Sequence, residues 1–167
     1  MKLELAKQIQ SEEISNLVNQ AYRGEFGWTK EGHLVSGNRI TSKQIDEIIS
    51  STSSYLLIFK DDIQIISCIC IEKKDTSAYF GLFAVNPNMQ SKGIGKKVLT
   101  LAEKYTKNIL KLNKVEMLVI SQRKELVYYY ERRGYIKSES NQKYPENLDV
   151  GNPKVAGLTI DILRKNI

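Results

Sequence analysis

The chemistry of this chain is written most clearly in a twelve-residue segment, Val85-Asn86-Pro87-Asn88-Met89-Gln90-Ser91-Lys92-Gly93-Ile94-Gly95-Lys96. A β-rich run ends at Val85, Pro87 stops it, and an apolar helical period begins at Ile94. Gly93 and Gly95 let the backbone approach a ligand closely. Successive free amides at a helix start, added to the helix dipole, favour a diphosphate. Lys92, Lys96, Lys97, Lys104, Lys107, Lys111 and Lys114 gather around this loop and the helix after it. A small polyanion held at a helix N-terminus fits that distribution.

Two competing motifs fail on spacing. A dinucleotide fingerprint requires a third small residue near Lys97 or Val98 and a place in the first βα unit. A P-loop requires glycine where Gln90 stands and Ser or Thr where Lys97 stands. Net charge is +6 and pI about 9.2. Nucleic-acid binding would interleave basic and aromatic residues on one face, which this sequence does not do, so no nucleic-acid partner is expected.

The elements that position the loop follow from periodicity. Leu3 to Ile9 reads as a first strand, and Ser11 opens a helix whose apolar set is Ile14, Leu17, Val18, Ala21 and Tyr22. Arg23 to Arg39 reads as a long loop. Thr41 and Gln44 form a capping box for a second helix, with Ile40 and Ile45 as its hydrophobic staple. Tyr55 to Lys60 and Ile63 to Ile71 flank Asp61-Asp62 as a hairpin, and Ala78 to Val85 is the next strand. Ile94, Val98, Leu101, Ala102, Tyr105 and Ile109 mark a long amphipathic helix. Val115 to Ile120 is a strand, and Arg123 to Arg133 a helix closed by Gly134 with Tyr135 folded back on its last turn. A loop containing Pro145 and Pro153 leads to a closing strand near Ala156 to Leu163. The order is β-α-α-β-β-β-α-β-α-β-β, an α/β fold (α+β mixed sheet) with a central mixed sheet flanked by helices.

At 167 residues, with 41% hydrophobic and 26% charged residues, the expectation is one soluble domain over residues 1–167. No apolar run approaches the ~18 residues a membrane helix needs. The start, Met1-Lys2-Leu3-Glu4, carries no apolar leader, so the expected compartment is the cytoplasm and no membrane partner is expected. Cys68 and Cys70 sit two apart on one strand face, unsuited to a disulfide, and are expected to be free packing thiols. His33 is the only histidine, and no metal site is expected.

A second segment sharpens the first. Tyr130-Glu131-Arg132-Arg133-Gly134-Tyr135 follows the loop with a helix and a strand between. The chain resembles the GNAT (GCN5-related) N-acetyltransferase superfamily. Its acyl-CoA loop reads Gln/Arg-x-x-Gly-x-Gly/Ala after Val-x-Pro, and its next signature is Tyr-Glu-x-x-Gly-Phe/Tyr. The match is sharp over residues 78 to 135. It implies a sheet splayed between the strands ending at Val85 and beginning at Val115, with the pantetheine arm of acetyl-CoA in the wedge along Phe83, Ala84 and Val85. It places the diphosphate on Gln90, Ser91, Lys92, Gly93, Ile94 and Gly95, with Lys92 or Lys96 meeting outlying phosphates. It makes Tyr130 the acid that protonates the departing thiolate. A homodimer is expected by analogy alone.

The implied reaction is acetyl transfer from acetyl-CoA, the cosubstrate, to a primary amine of a small molecule or peptide by direct attack in a ternary complex. The alternative is a non-catalytic acyl-CoA-binding or regulatory module, because this chain departs from the family pattern. Many relatives carry a glutamate on the strand before the loop, whereas Tyr79 to Val85 contains no carboxylate. A water relay, Glu25 or Glu31 would then serve as base. Arg123 stands where many members have an asparagine that touches CoA. The aromatic and charged loop supplies the acceptor-side candidates Tyr22, Trp28, Glu31 and Arg39.

Overall fold

The computed structural model describes residues 3–145 and 150–167. Strand β1 (Leu3–Leu5) is followed by helix α1 (Ser11–Arg23), β2 (Val35–Ser36), α2 (Ser42–Ser50), β3 (Ser54–Asp61), β4 (Gln64–Lys73) and β5 (Ala78–Val85). The second half is α3 (Ile94–Asn108), β6 (Lys114–Ile120), α4 (Lys124–Glu131), β7 (Ile136–Lys143), β8 (Asn152–Pro153) and β9 (Thr159–Asn166). Seven strands make one mixed sheet in the order β1-β3-β4-β5-β6-β9-β7.

Burial explains the layering. Strand β4 is buried continuously from Ile65 to Ile71, as a central strand covered on both faces must be. On one face Ile14, Leu17, Val18 and Ala21 of α1 and Ile45 of α2 pack over Leu56, Ile58, Cys68 and Cys70. On the other, Val98, Leu99 and Ala102 of α3 pack over Phe59, Ile69 and Ile71. Both cysteines are free and share one face. Thr41 and Gln44 close the capping box of α2, whose staple residues Ile40 and Ile45 are both buried.

Two features of β5 open the sheet. Its pairing with β6 is parallel and lasts three residues, Ala78↔Val115, Tyr79↔Glu116 and Phe80↔Met117, after which the strands part. Against β4 the register jumps from Cys70↔Gly81 to Cys68↔Ala84, a bulge that places one extra residue on β5. Leu82 takes a positive φ of 47° there. Bulges bend a strand and re-aim its side chains, and this one lies beside the opening.

Several element boundaries differ from the sequence reading. The first strand ends at Leu5 and a 3-10 turn occupies Gln8–Gln10, where the Gln10 side chain accepts from the Lys7 amide. The Arg23-to-Arg39 loop contains β2, which pairs with β8 across more than a hundred residues of sequence. The closing strand starts at Thr159, after Gly157 takes a φ of 73°. Ile109 lies past the end of α3 and is 62% exposed, while Leu99 is buried.

Candidate active site

Between β5 and β6 lies a cleft of about 580 Å³ that continues past α4 to the loop after α1. At one end is the glycine loop. Gly93 takes a φ of 78° and Ser91 one of 63°, the left-handed turns that point successive amides the same way. The amide of Gln90 donates to the Pro87 carbonyl at 3.4 Å, and that of Lys97 to Gly93 at 3.1 Å. Between them, the amides of Ser91 through Lys96 meet no acceptor among the described residues. These six free donors at the start of a fifteen-residue helix form a cradle whose chemistry suits an anion such as a diphosphate. A Cβ at Gly95 would stand 2.9 Å from the Tyr129 hydroxyl and within 3.8 Å of Val85 and Phe83, so glycine there keeps the passage open.

The Gln90 side chain does structural work instead of facing a ligand freely. Its Nε2 donates to Thr29 Oγ1 at 2.8 Å and to the Val85 carbonyl at 3.2 Å, and its Oε1 accepts from the Trp28 amide at 2.9 Å. One amide group thereby ties the glycine loop to the loop after α1. Phe83, Val85, Ser91, Gly93, Gly95 and Lys96 line the cleft, as does Gln90. Three sequence candidates do not. Ala84 is buried in the α1-side core, as strand alternation requires. Ile94, the first residue of α3, packs against the α3-side core, and the Lys92 ammonium lies 3.5 Å from Met89 Sδ.

Helix α4 supplies an aromatic wall. Tyr130 is 6% exposed and lines the cleft. Burial chiefly pushes its hydroxyl well above the ordinary tyrosine range, with Tyr22 and Tyr129 adding to the rise while Arg123 and Arg133 oppose it. The phenol therefore stays protonated at neutral pH. Tyr129 also lines the cleft, its ring tilted 5.3 Å from that of Trp28 and edge-on 5.3 Å from that of Tyr130, with the Arg133 guanidinium 3.3 Å from its ring centre. Tyr129 was not among the sequence candidates. Its helical spacing to Arg133 at i+4 was the available signal. Tyr128 is exposed.

All four acceptor-side candidates, Tyr22, Trp28, Glu31 and Arg39, line the same cleft. Glu31 is no solvated surface residue. It is 7% exposed, paired with Arg23 through one carboxylate oxygen and 3.5 Å from Arg123 through the other. Arg123, missed as a site residue, is buried and also meets Glu125 at 2.5 Å and the Trp28 carbonyl at 3.3 Å. Arg23 further binds the carbonyls of Gly37 at 2.9 Å and Val150 at 2.7 Å. Two arginines thus fold the α1–α2 loop around one carboxylate. Glu25 is exposed, and so is His33. Tyr79 and Gly81 also line the cleft, and the β5 bulge after Gly81 turns Phe83 and Val85 to the opposite sheet face.

A parted parallel strand pair, a cradle of free amides and a buried tyrosine on the next helix define an acyl-CoA-dependent N-acetyltransferase of the GNAT class. A family model for the acetyltransferase (GNAT) domain matches residues 27–148, and the chain belongs to that family. GNAT acetyltransferases use acetyl-CoA as donor. No curated protein matches the chain by sequence. Among solved structures, the chain is similar to smu.2055 from Streptococcus mutans UA159, at 18% identity and a TM-score of 0.75 over 99% of both chains. It is similar to an N-acetyltransferase from Staphylococcus aureus Mu50, at 14% identity and a TM-score of 0.76 over 99% of this chain and 96% of that one. Spermidine N-acetyltransferase from Vibrio cholerae, in complex with CoA and spermine, aligns at 16% identity and a TM-score of 0.73 over 99% and 94%. At these identities the likeness speaks for the fold.

Proposed function

We propose that this chain, as a single domain over residues 1–167, transfers an acetyl group from acetyl-CoA to the primary amine of a small molecule or peptide by direct attack, with both substrates in the cleft. The observation that carries the reading is the continuity of one cavity from the free amides of Ser91–Lys96, past Tyr130, to Glu31 and Arg39. Bound acetyl-CoA supplies an activated thioester carbonyl. The chain does the rest. The amides of the loop hold the diphosphate, Lys96 adds a cation at the cradle, and the edge of β5 left by β6 after Phe80 offers main-chain groups to an extended arm. Tyr130, protonated and walled from bulk water, gives its hydroxyl proton to the departing thiolate.

The amine must arrive neutral. Strand β5 has no carboxylate, and Glu31 is held between two guanidiniums. We infer that the proton leaves through water in the open acceptor end. Two free buried thiols favour a reducing compartment such as the cytoplasm. Among the described residues no helix is long and apolar enough to cross a membrane. A homodimer is an expectation for sedimentation to measure.

The test is paired. Acetyl-CoA raises the thermal midpoint of the wild-type protein and of Tyr130→Phe alike, while the substitution lowers kcat about 100-fold on an accepted amine. A protein that binds acetyl-CoA but releases no CoA with any amine is a binding module, and the catalytic assignment of Tyr130 falls.

A further inference from the structure

The charges along the acceptor end are lopsided. Among the described residues the only carboxylate lining the cleft is Glu31, and Arg23 and Arg123 already hold it. Arg39 lines the same cleft and is in no ion pair among the described residues. Its guanidinium lies 5.6 Å from the centre of the Tyr22 ring. It also acts electrostatically on the hydroxyls of Tyr22, Tyr79 and Tyr144, pulling against burial at each. All three tyrosines line the cleft, and burial dominates, so their hydroxyls stay protonated. Lys143 adds a further cation to the lining.

Resting on the acetyltransferase reading, we propose that the acceptor is an amine carrying its own carboxylate, which Arg39 receives together with the hydroxyls of the surrounding tyrosines. A guanidinium offers a carboxylate two parallel donors, and neutral phenols complete its remaining lone pairs. A polyamine meets the opposite field: its extra ammonium groups find no uncommitted carboxylate among the described lining residues. The same arrangement bears on the missing base. Cationic surroundings favour the neutral form of an amine, so the nucleophile is readied without a carboxylate on β5. The carboxylate of the acceptor offsets the repulsion that a bare ammonium would feel on entry.

The experiment uses the full chain with saturating acetyl-CoA and reads CoA release across free amino acids, their amides and spermidine. At least one free amino acid is expected to exceed its own amide about tenfold or more in kcat/KM, with spermidine inactive. In Arg39→Gln, loss of a charged hydrogen-bonding partner raises KM for the preferred acid about 10- to 100-fold and brings the acid-to-amide ratio toward one. Arg39→Lys retains part of the ratio. Stabilisation by acetyl-CoA reports whether the variants fold and bind the donor. Turnover of spermidine or of the amides at the level of the acids overturns the inference, as does a ratio that survives in Arg39→Gln or an acetyl-CoA-binding protein that turns over no free amino acid. If acetyl-CoA fails to stabilise the wild-type protein, the acetyltransferase reading itself fails.

Discussion

Replacing Glu31 by Gln separates two roles that one carboxylate in an active-site cleft is often given. The substitution keeps shape and removes the anion shared by Arg23 and Arg123. The Arg123 side chain is 2% exposed, and that of Glu31 is 10% exposed. Removing one partner of a buried pair typically costs about 3–5 kcal/mol, because a charge stays behind in poor solvent. Here the exposed Glu125 at 2.5 Å and the Trp28 carbonyl at 3.3 Å remain with Arg123, which lowers the expected loss to about 2–4 kcal/mol. For a chain of this size each kcal/mol shifts the thermal midpoint about 2–4 °C, so the drop is roughly 4–16 °C. Thermal melts followed by circular dichroism measure it, and steady-state kinetics well below the new midpoint measure the chemistry. A structural clamp predicts the large thermal loss, with acceptor KM rising as the loop after α1 loosens. If the midpoint moves less than about 2 °C while kcat falls 100-fold or more, the clamp is refuted and Glu31 is the base.

Gly95→Ala is expected to move stability and donor binding in opposite directions. Alanine is the better helix former by up to about 1 kcal/mol, so the thermal midpoint holds or rises slightly. Its methyl would meet the Tyr129 hydroxyl at 2.9 Å beside Val85 and Phe83, narrowing the passage, and titration calorimetry should show acetyl-CoA affinity down at least tenfold. Equal affinity would mean that the donor does not run past Gly95. The thiols make a pH prediction. Burial pushes both Cys68 and Cys70 up to about 12 from an ordinary 9.0. Their folded pKa values are raised, so the stability they contribute is complete below pH 9 and is lost as pH rises from about 9 toward about 12. Urea midpoints across that range should fall more steeply for wild type than for Cys68→Ala/Cys70→Ala. Equal slopes would show thiols that ionise freely in the folded protein.

The donor half of this site was legible because it is local. Gly93 and Gly95 sit at fixed spacing from Val85 and Pro87, the helix period starts at once, and Tyr130 is four residues from Gly134. Each feature is imposed by backbone geometry within one turn or one strand, and the splay of the sheet followed from the family resemblance. The acceptor half is assembled across the chain. Glu31 meets Arg123 over ninety-two residues, the Trp28 amide meets Gln90 over sixty-two, and the Val150 carbonyl meets Arg23 over 127. No period marks such pairs, because a charged residue in a polar loop looks the same whether it faces solvent or a buried guanidinium. The β5 bulge was hidden for a related reason: Gly81-Leu82-Phe83 alternates as an ordinary strand, and only the pairing with β4 shows the extra residue. On the proposed reading, donor recognition relies on main-chain amides, which tolerate side-chain change around them. On the same reading, acceptor recognition relies on side chains that loop packing brings together, and Arg39 is a cleft guanidinium that packing leaves without a carboxylate among the described residues.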